Sequence, residues 1–91
     1  MSNNKIKPIR EKIDAIDHQL LKLIQKRGSL AQKIGDLKGL IDSKASFYKP
    51  SREAEILRKL VRINEGPISD KQIQYIFKEI ISSCLSLEEE L

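Results

Sequence analysis

Residues 5–41, KIKPIREKIDAIDHQLLKLIQKRGSLAQKIGDLKGLI, place Ile6, Ile9, Ile13, Ile16, Leu20, Leu23, Arg27, Leu30, Ile34, Leu37 and Ile41 at alternating steps of three and four. That spacing brings these positions to one side of an α-helix. Sustained over about five repeats, it is the seam of a helix that packs lengthwise against other helices. Such a helix would be roughly 55 Å long at about 1.5 Å per residue, longer than a compact domain of 91 residues is wide. It needs partners along its whole length. Gly28, Gly35 and Gly39 fall in or near its second half, each costing about 1 kcal/mol against Ala. Close approach of another backbone is the simplest reason to keep them.

Downstream, the pattern is interrupted at residues 42–50, where Ser43, Ser46 and Pro50 break it and Phe47 and Tyr48 supply two of the four aromatics. The spacing predicts a second helix over 51–64, with Ile56, Leu57, Leu60, Val61 and Ile63 as its apolar set, ended by Gly66-Pro67. Ser69 with Gln72 three residues later reads as a capping box opening a third helix over 70–88, whose stripe is Ile73, Ile76, Phe77, Ile80, Ile81, Cys84 and Leu85. No segment alternates with the period of a strand. The fold class is therefore all-α, with one long helix and two shorter ones in a single domain over residues 1–91. The shorter pair can cover one side of the long helix and leaves the rest of its seam bare. A second copy of the chain is the natural cover, giving an intertwined helical-bundle homodimer.

Composition narrows the function. A chain of 91 residues is marginal as a lone core. Its one cysteine, Cys84, can form no internal disulfide and no cysteine-based metal site, which points to a reducing compartment with the cytoplasm as the default. The polar Met1–Lys5 start is unlike a secretory signal, and no run approaches the ~20 apolar residues of a membrane span. A net charge of +4 suits an anionic small molecule as well as a nucleic acid. The lysines, however, are spread around every helix and mixed with acids, with no one-sided stripe and no recognition helix, which argues against nucleic acid.

The informative residues break the apolar patterns. Arg27 occupies a seam position between Leu23 and Leu30. A lone arginine there more often pairs with a neighbouring carboxylate or carries its charge out to solvent. Lys38 shifts that balance: eleven residues on, it lies about 20° away around the axis and about 16 Å along it. Two cations on one face can converge on an anion of metabolite size. Glu88 continues the apolar stripe of the third helix, although the Glu88-Glu89-Glu90 run also fits a solvated end. Arg52 and Glu53 stand in the first turn of the second helix, where a carboxylate gains from the dipole whatever else it does. His18 reads as a surface position.

Taken in order, Ile9-Arg10-Glu11-Lys12-Ile13-Asp14-Ala15-Ile16-Asp17, Leu20-Leu21, Arg27, Lys38, Pro50-Ser51-Arg52-Glu53-Ala54-Glu55-Ile56-Leu57, and then Phe77, Ile80-Ile81, Cys84 and Glu88 resemble the all-helical class of chorismate mutases over nearly the whole chain. The Phe-Tyr-x-Pro-x-Arg-Glu stretch is most similar to the mutase domains fused to prephenate dehydratase, which leaves room for a covalently following dehydratase domain beyond Leu91.

The resemblance implies turnover of chorismate to prephenate, without metal or cofactor, in phenylalanine and tyrosine biosynthesis. It further implies that Arg27 holds one substrate carboxylate, that Lys38 donates to the ether oxygen and a carboxylate, that Arg52 adds positive potential, and that Glu53 accepts from the ring hydroxyl. Arg10 would reach the other carboxylate. It precedes Arg27 by seventeen residues, about 25 Å along the same axis, so it would come from the partner subunit. Ile34, Ile56, Ile81 and Leu85 would form apolar walls. Lys49 stands where some members carry an aspartate near the ring hydroxyl. Cys84 replaces a serine of some relatives and reads as a small buried apolar group. Glu88 would face the ether oxygen, where a glutamate donates only when protonated, so catalysis is expected to weaken with rising pH. An isochorismate-pyruvate lyase of the same fold and a non-catalytic regulatory domain stay open as alternatives. Glu53 and Glu88 favour the mutase.

Overall fold

The computed structural model describes residues 2–41 and 49–89, which form three α-helices. They are α1 (Ser2–Ile41), α2 (Pro50–Ile63) and α3 (Asp70–Glu89). Phe47, Tyr48, Ser43 and Ser46 of the expected break, and Glu90 of the acidic run, lie outside the described residues.

The long helix starts at Ser2, three residues before the expected start at Lys5, because the polar turn Ser2–Asn4 has no seam residue to reveal it. Pro8 is consequently inside the helix and not in its first turn. Its missing N–H and the carbonyl it displaces lie on an exposed stretch where water can serve. α2 opens one residue earlier than the spacing suggests. Pro50 takes the first helical position, where no N–H is required, and the Lys49 carbonyl accepts from the backbone N–H of Arg52 at 3.0 Å and of Glu53 at 3.1 Å.

α2 ends within one residue of expectation, at Ile63 with Asn64 as its cap, and Gly66-Pro67 follows in the turn. Asn64 is extended (φ −70°, ψ 115°). Its Nδ2 donates to the Ile68 carbonyl at 3.0 Å and to Asp70 Oδ1 at 2.7 Å. The side chain thus ties the end of α2 to the start of α3, competing with continued helix. Asn64→Ala is expected to lower the unfolding free energy by about 1–2 kcal/mol, read as a lower urea midpoint at unchanged slope. α3 opens as the capping signal suggests, with Ser69 Oγ accepting from Gln72 N at 3.2 Å.

α3 packs on both α1 and α2, whose backbones stay apart from each other. The α1–α3 contact is made by small residues. Gly28, Ala31 and Gly35, at steps of three and four on α1, are buried, and so is Cys84 of α3. A Cβ built on Gly35 would lie 2.9 Å from the main chain of Glu88, and one on Gly28 would lie 3.1 Å from Leu87 Cδ1. Gly35 therefore permits close approach of another backbone, whereas Gly28 meets a side chain.

The seam itself is left uncovered: Ile9, Ile13 and Ile16 are 57%, 51% and 53% exposed. Ala31 and Cys84 are the buried apolar residues among those described. The chain measures 62 × 24 × 15 Å with a radius of gyration of 17.2 Å, against about 12 Å for a compact chain of this length. It exposes 7730 Å², where a compact monomer of this mass exposes about 5400 Å². None of the described helices is long and apolar enough to cross a membrane.

Candidate active site

Because α3 holds α1 and α2 apart, a cleft of about 510 Å³ opens between the three helices. α1 contributes Arg27, Leu30, Ala31, Ile34 and Lys38, which apart from the adjacent pair Leu30-Ala31 recur at steps of three and four and so present one stripe to the cleft. The start of α2 contributes Lys49, Arg52, Glu53 and Ile56. The two N–H bonds to the Lys49 carbonyl fix the turn that carries Arg52 and Glu53. α3 contributes Ile81, Cys84, Leu85 and Glu88.

Eleven of the twelve residues singled out from the sequence thus border one cavity. Arg10 does not, being exposed on α1 far from the cleft of its own chain. Leu30 and Ala31 line the cleft without having been singled out. Leu30 was visible as a seam residue, and Ala31 follows Arg27 by one helical turn. Arg27, Lys38, Glu53 and Glu88 are half-buried, whereas Lys49 and Arg52 are exposed at the rim. His18 is exposed, as its surface reading anticipates.

Arg52 is engaged on its solvent side as well. Its Nη1 donates to Glu55 Oε1, and Lys59 Nζ stands 3.7 Å from the same oxygen. The Arg52 hydrogen bond, followed by the Lys59 charge, holds the Glu55 carboxyl below its ordinary value. Sequence reading missed this role of Glu55, although its i,i+3 and i,i+4 spacing to these cations was there to be seen. The pair is open to solvent, so an anion in the cleft competes for Arg52 at little cost.

Four cationic side chains less two carboxylates leave the cleft with a formal +2 beside an apolar wall. A second, almost wholly apolar groove of about 340 Å³ runs between the middle of α1 and the first half of α3, lined by Leu20, Leu23, Ile24, Ile68, Ile73, Ile76, Phe77 and Ile80. Arg27 borders both cavities.

The family model for chorismate mutase type II matches residues 9–89. The bifunctional chorismate mutase/prephenate dehydratase of Stutzerimonas stutzeri is 37% identical over 91 residues, a match covering 97% of this chain and 25% of that one. The chain therefore spans about a quarter of the length of such bifunctional relatives. The chorismate mutase of Methanocaldococcus jannaschii is 31% identical over 87 residues, covering 94% of this chain and 86% of its own. Among solved structures, form II of chorismate mutase from Thermus thermophilus superposes with a TM-score of 0.89 at 37% identity, covering 94% of this chain and 96% of that one. Chorismate mutase from Helicobacter pylori in complex with prephenate gives 0.81 at 29% identity, with the same coverage of 94% and 96%.

Proposed function

We propose, since this chain belongs to the type II chorismate mutase family, that it rearranges chorismate to prephenate in a cleft completed by a second copy of itself. One observation carries the reading: a single cavity gathers Arg27, Lys38, Lys49 and Arg52 with Glu53 and Glu88 against Ile34, Ile56, Ile81 and Leu85. The excess of positive charge suits a doubly charged anion. The prephenate held by the Helicobacter pylori relative belongs to that charge class and supports the assignment.

The rearrangement is unimolecular. A carbon–oxygen bond breaks as a carbon–carbon bond forms, negative charge builds on the departing ether oxygen, and no proton is transferred. The site has to select the compact conformer and put donors where charge develops. Arg27 clamps one carboxylate, and Arg10 of the partner subunit clamps the other, each with a planar fork matched to a carboxylate. Lys38 and Glu88 donate at the ether oxygen. Arg52 at the rim adds positive potential, Glu53 accepts from the ring hydroxyl, and the apolar wall strengthens all of these by excluding water.

The dimer is supported by what the single chain leaves bare. An excess of roughly 2300 Å² over a compact monomer is the scale of an obligate interface. It coincides with the exposed seam from Ile9 to Leu23 and with the apolar groove beside Arg27. A partner helix laid along that seam carries its Arg10 towards the Arg27 end of the cleft.

The purified chain is expected to consume chorismate, seen as loss of its absorbance, and to yield a product that acid converts to phenylpyruvate. Unchanged absorbance overturns the proposal, and pyruvate released from isochorismate reassigns the site to the lyase. Glu88→Gln, whose amide donates to the ether oxygen without needing a proton on a carboxyl, is expected to retain turnover. A folded Glu88→Gln chain without activity contradicts the role given to Glu88. The bifunctional relatives support a prephenate dehydratase as the consumer of the product.

A further inference from the structure

We infer that Gly35 is a positioning residue for this rearrangement, setting where the Glu88 carboxyl stands relative to Lys38; the inference rests on the mutase reading of the cleft. Gly35 is buried on α1, one turn before Lys38. A Cβ there would sit 2.9 Å from Glu88 Cα, 2.9 Å from its carbonyl oxygen and 3.3 Å from its carbonyl carbon. All three atoms are main chain, so no side-chain rotation relieves the contact. Restoring an ordinary separation of about 3.5–4.0 Å means moving the end of α3 outward, and Glu88 moves with it.

Gly28 supplies the contrast within the same helix contact. Its Cβ would meet Leu87 Cδ1 at 3.1 Å, the far end of a flexible side chain that can turn away. Two glycines on one face of α1 therefore differ in what they protect. Only Gly35 lies against the backbone of a residue whose side chain lines the cleft. Arg27 stands two turns earlier on α1, away from the contact at Glu88, whereas α2 packs on α3 and can follow it. Retreat of α3 at Glu88 therefore leaves the Arg27 clamp in place and withdraws a donor from the reacting oxygen.

The test compares kcat and KM of the unmodified chain, Gly35→Ala, Gly28→Ala, Glu88→Ala and the double variant Gly35→Ala/Glu88→Ala, with circular dichroism and thermal melting on each. Gly35→Ala is expected to lose about tenfold or more in kcat, as a donor displaced by a fraction of an ångström does, with KM changed by less than about threefold. Gly28→Ala should stay within about twofold of the unmodified chain, and Gly35→Ala should cost less than about twofold once Glu88 is already Ala. A folded Gly35→Ala chain with normal kcat overturns the inference. An equal loss in the Glu88→Ala background, or a chain that no longer folds, assigns Gly35 to packing alone and overturns it as well. An inactive unmodified chain sinks the mutase reading along with it, so the two failures are told apart.

Discussion

Replacing Lys38 by Ala is expected to lower kcat by roughly 10²–10³-fold, the usual consequence of losing a preorganised donor aimed at developing charge, while the helices stay folded. Lys38 lies on the cleft-facing stripe of α1, half-buried, one turn beyond Ile34 and within the same cavity as Glu88. The substitution leaves untouched Gly28 and Gly35, where α1 approaches α3 closely. The loss therefore falls on the transition state, with kcat and kcat/KM dropping together. Circular dichroism and thermal melting identical to the unmodified chain, beside a collapsed kcat, is the expected pair of results. A Lys38→Ala chain of normal kcat removes Lys38 from the mechanism.

The second large effect belongs to a residue remote from its own chain's cleft. Arg10→Ala is expected to reduce kcat/KM by roughly 10²-fold, the loss of a charge-assisted bidentate clamp. Its side chain is exposed in the single chain and has no place among the residues lining the cavity. Read from one chain alone, Arg10→Ala is a surface substitution with no effect on activity or stability. Only a site shared between two copies makes it costly, and steady-state kinetics on the folded variant decides between the two outcomes.

The three helices were legible because their apolar residues recur at steps of three and four, Arg27 and Glu88 because each interrupts such a run, and Lys38 from its eleven-residue spacing to Arg27. Arg52 and Glu53 could be placed from Pro50, which marks the first helical position and sets the turn that follows. What escaped was of a different kind. The end of α2 near Asn64 was anticipated from Gly66-Pro67, but the bonds of Asn64 to Ile68 and Asp70 that tie it to α3 were not. Such a tie depends on partners brought together by the turn itself. The start of α1 at Ser2 was hidden because the polar residues before Ile6 leave no seam. Glycines carry no side chain to pattern. Close approach could be read from their presence, but not which of them meets main chain and which only a methyl group. The partner's placement is the least legible feature, since an exposed seam says that something covers it and not in which register.

The central claim is that two polypeptides build each site, and mixing two crippled chains tests it most directly. Arg10→Ala and Arg27→Ala, each nearly inactive as a homodimer, are unfolded together, refolded and assayed. In a two-fold dimer built from one of each, one site carries both defects and the other carries neither. Random pairing is thus expected to restore about a quarter of the unmodified activity. Activity no greater than the sum of the two separate variants would contradict the shared site.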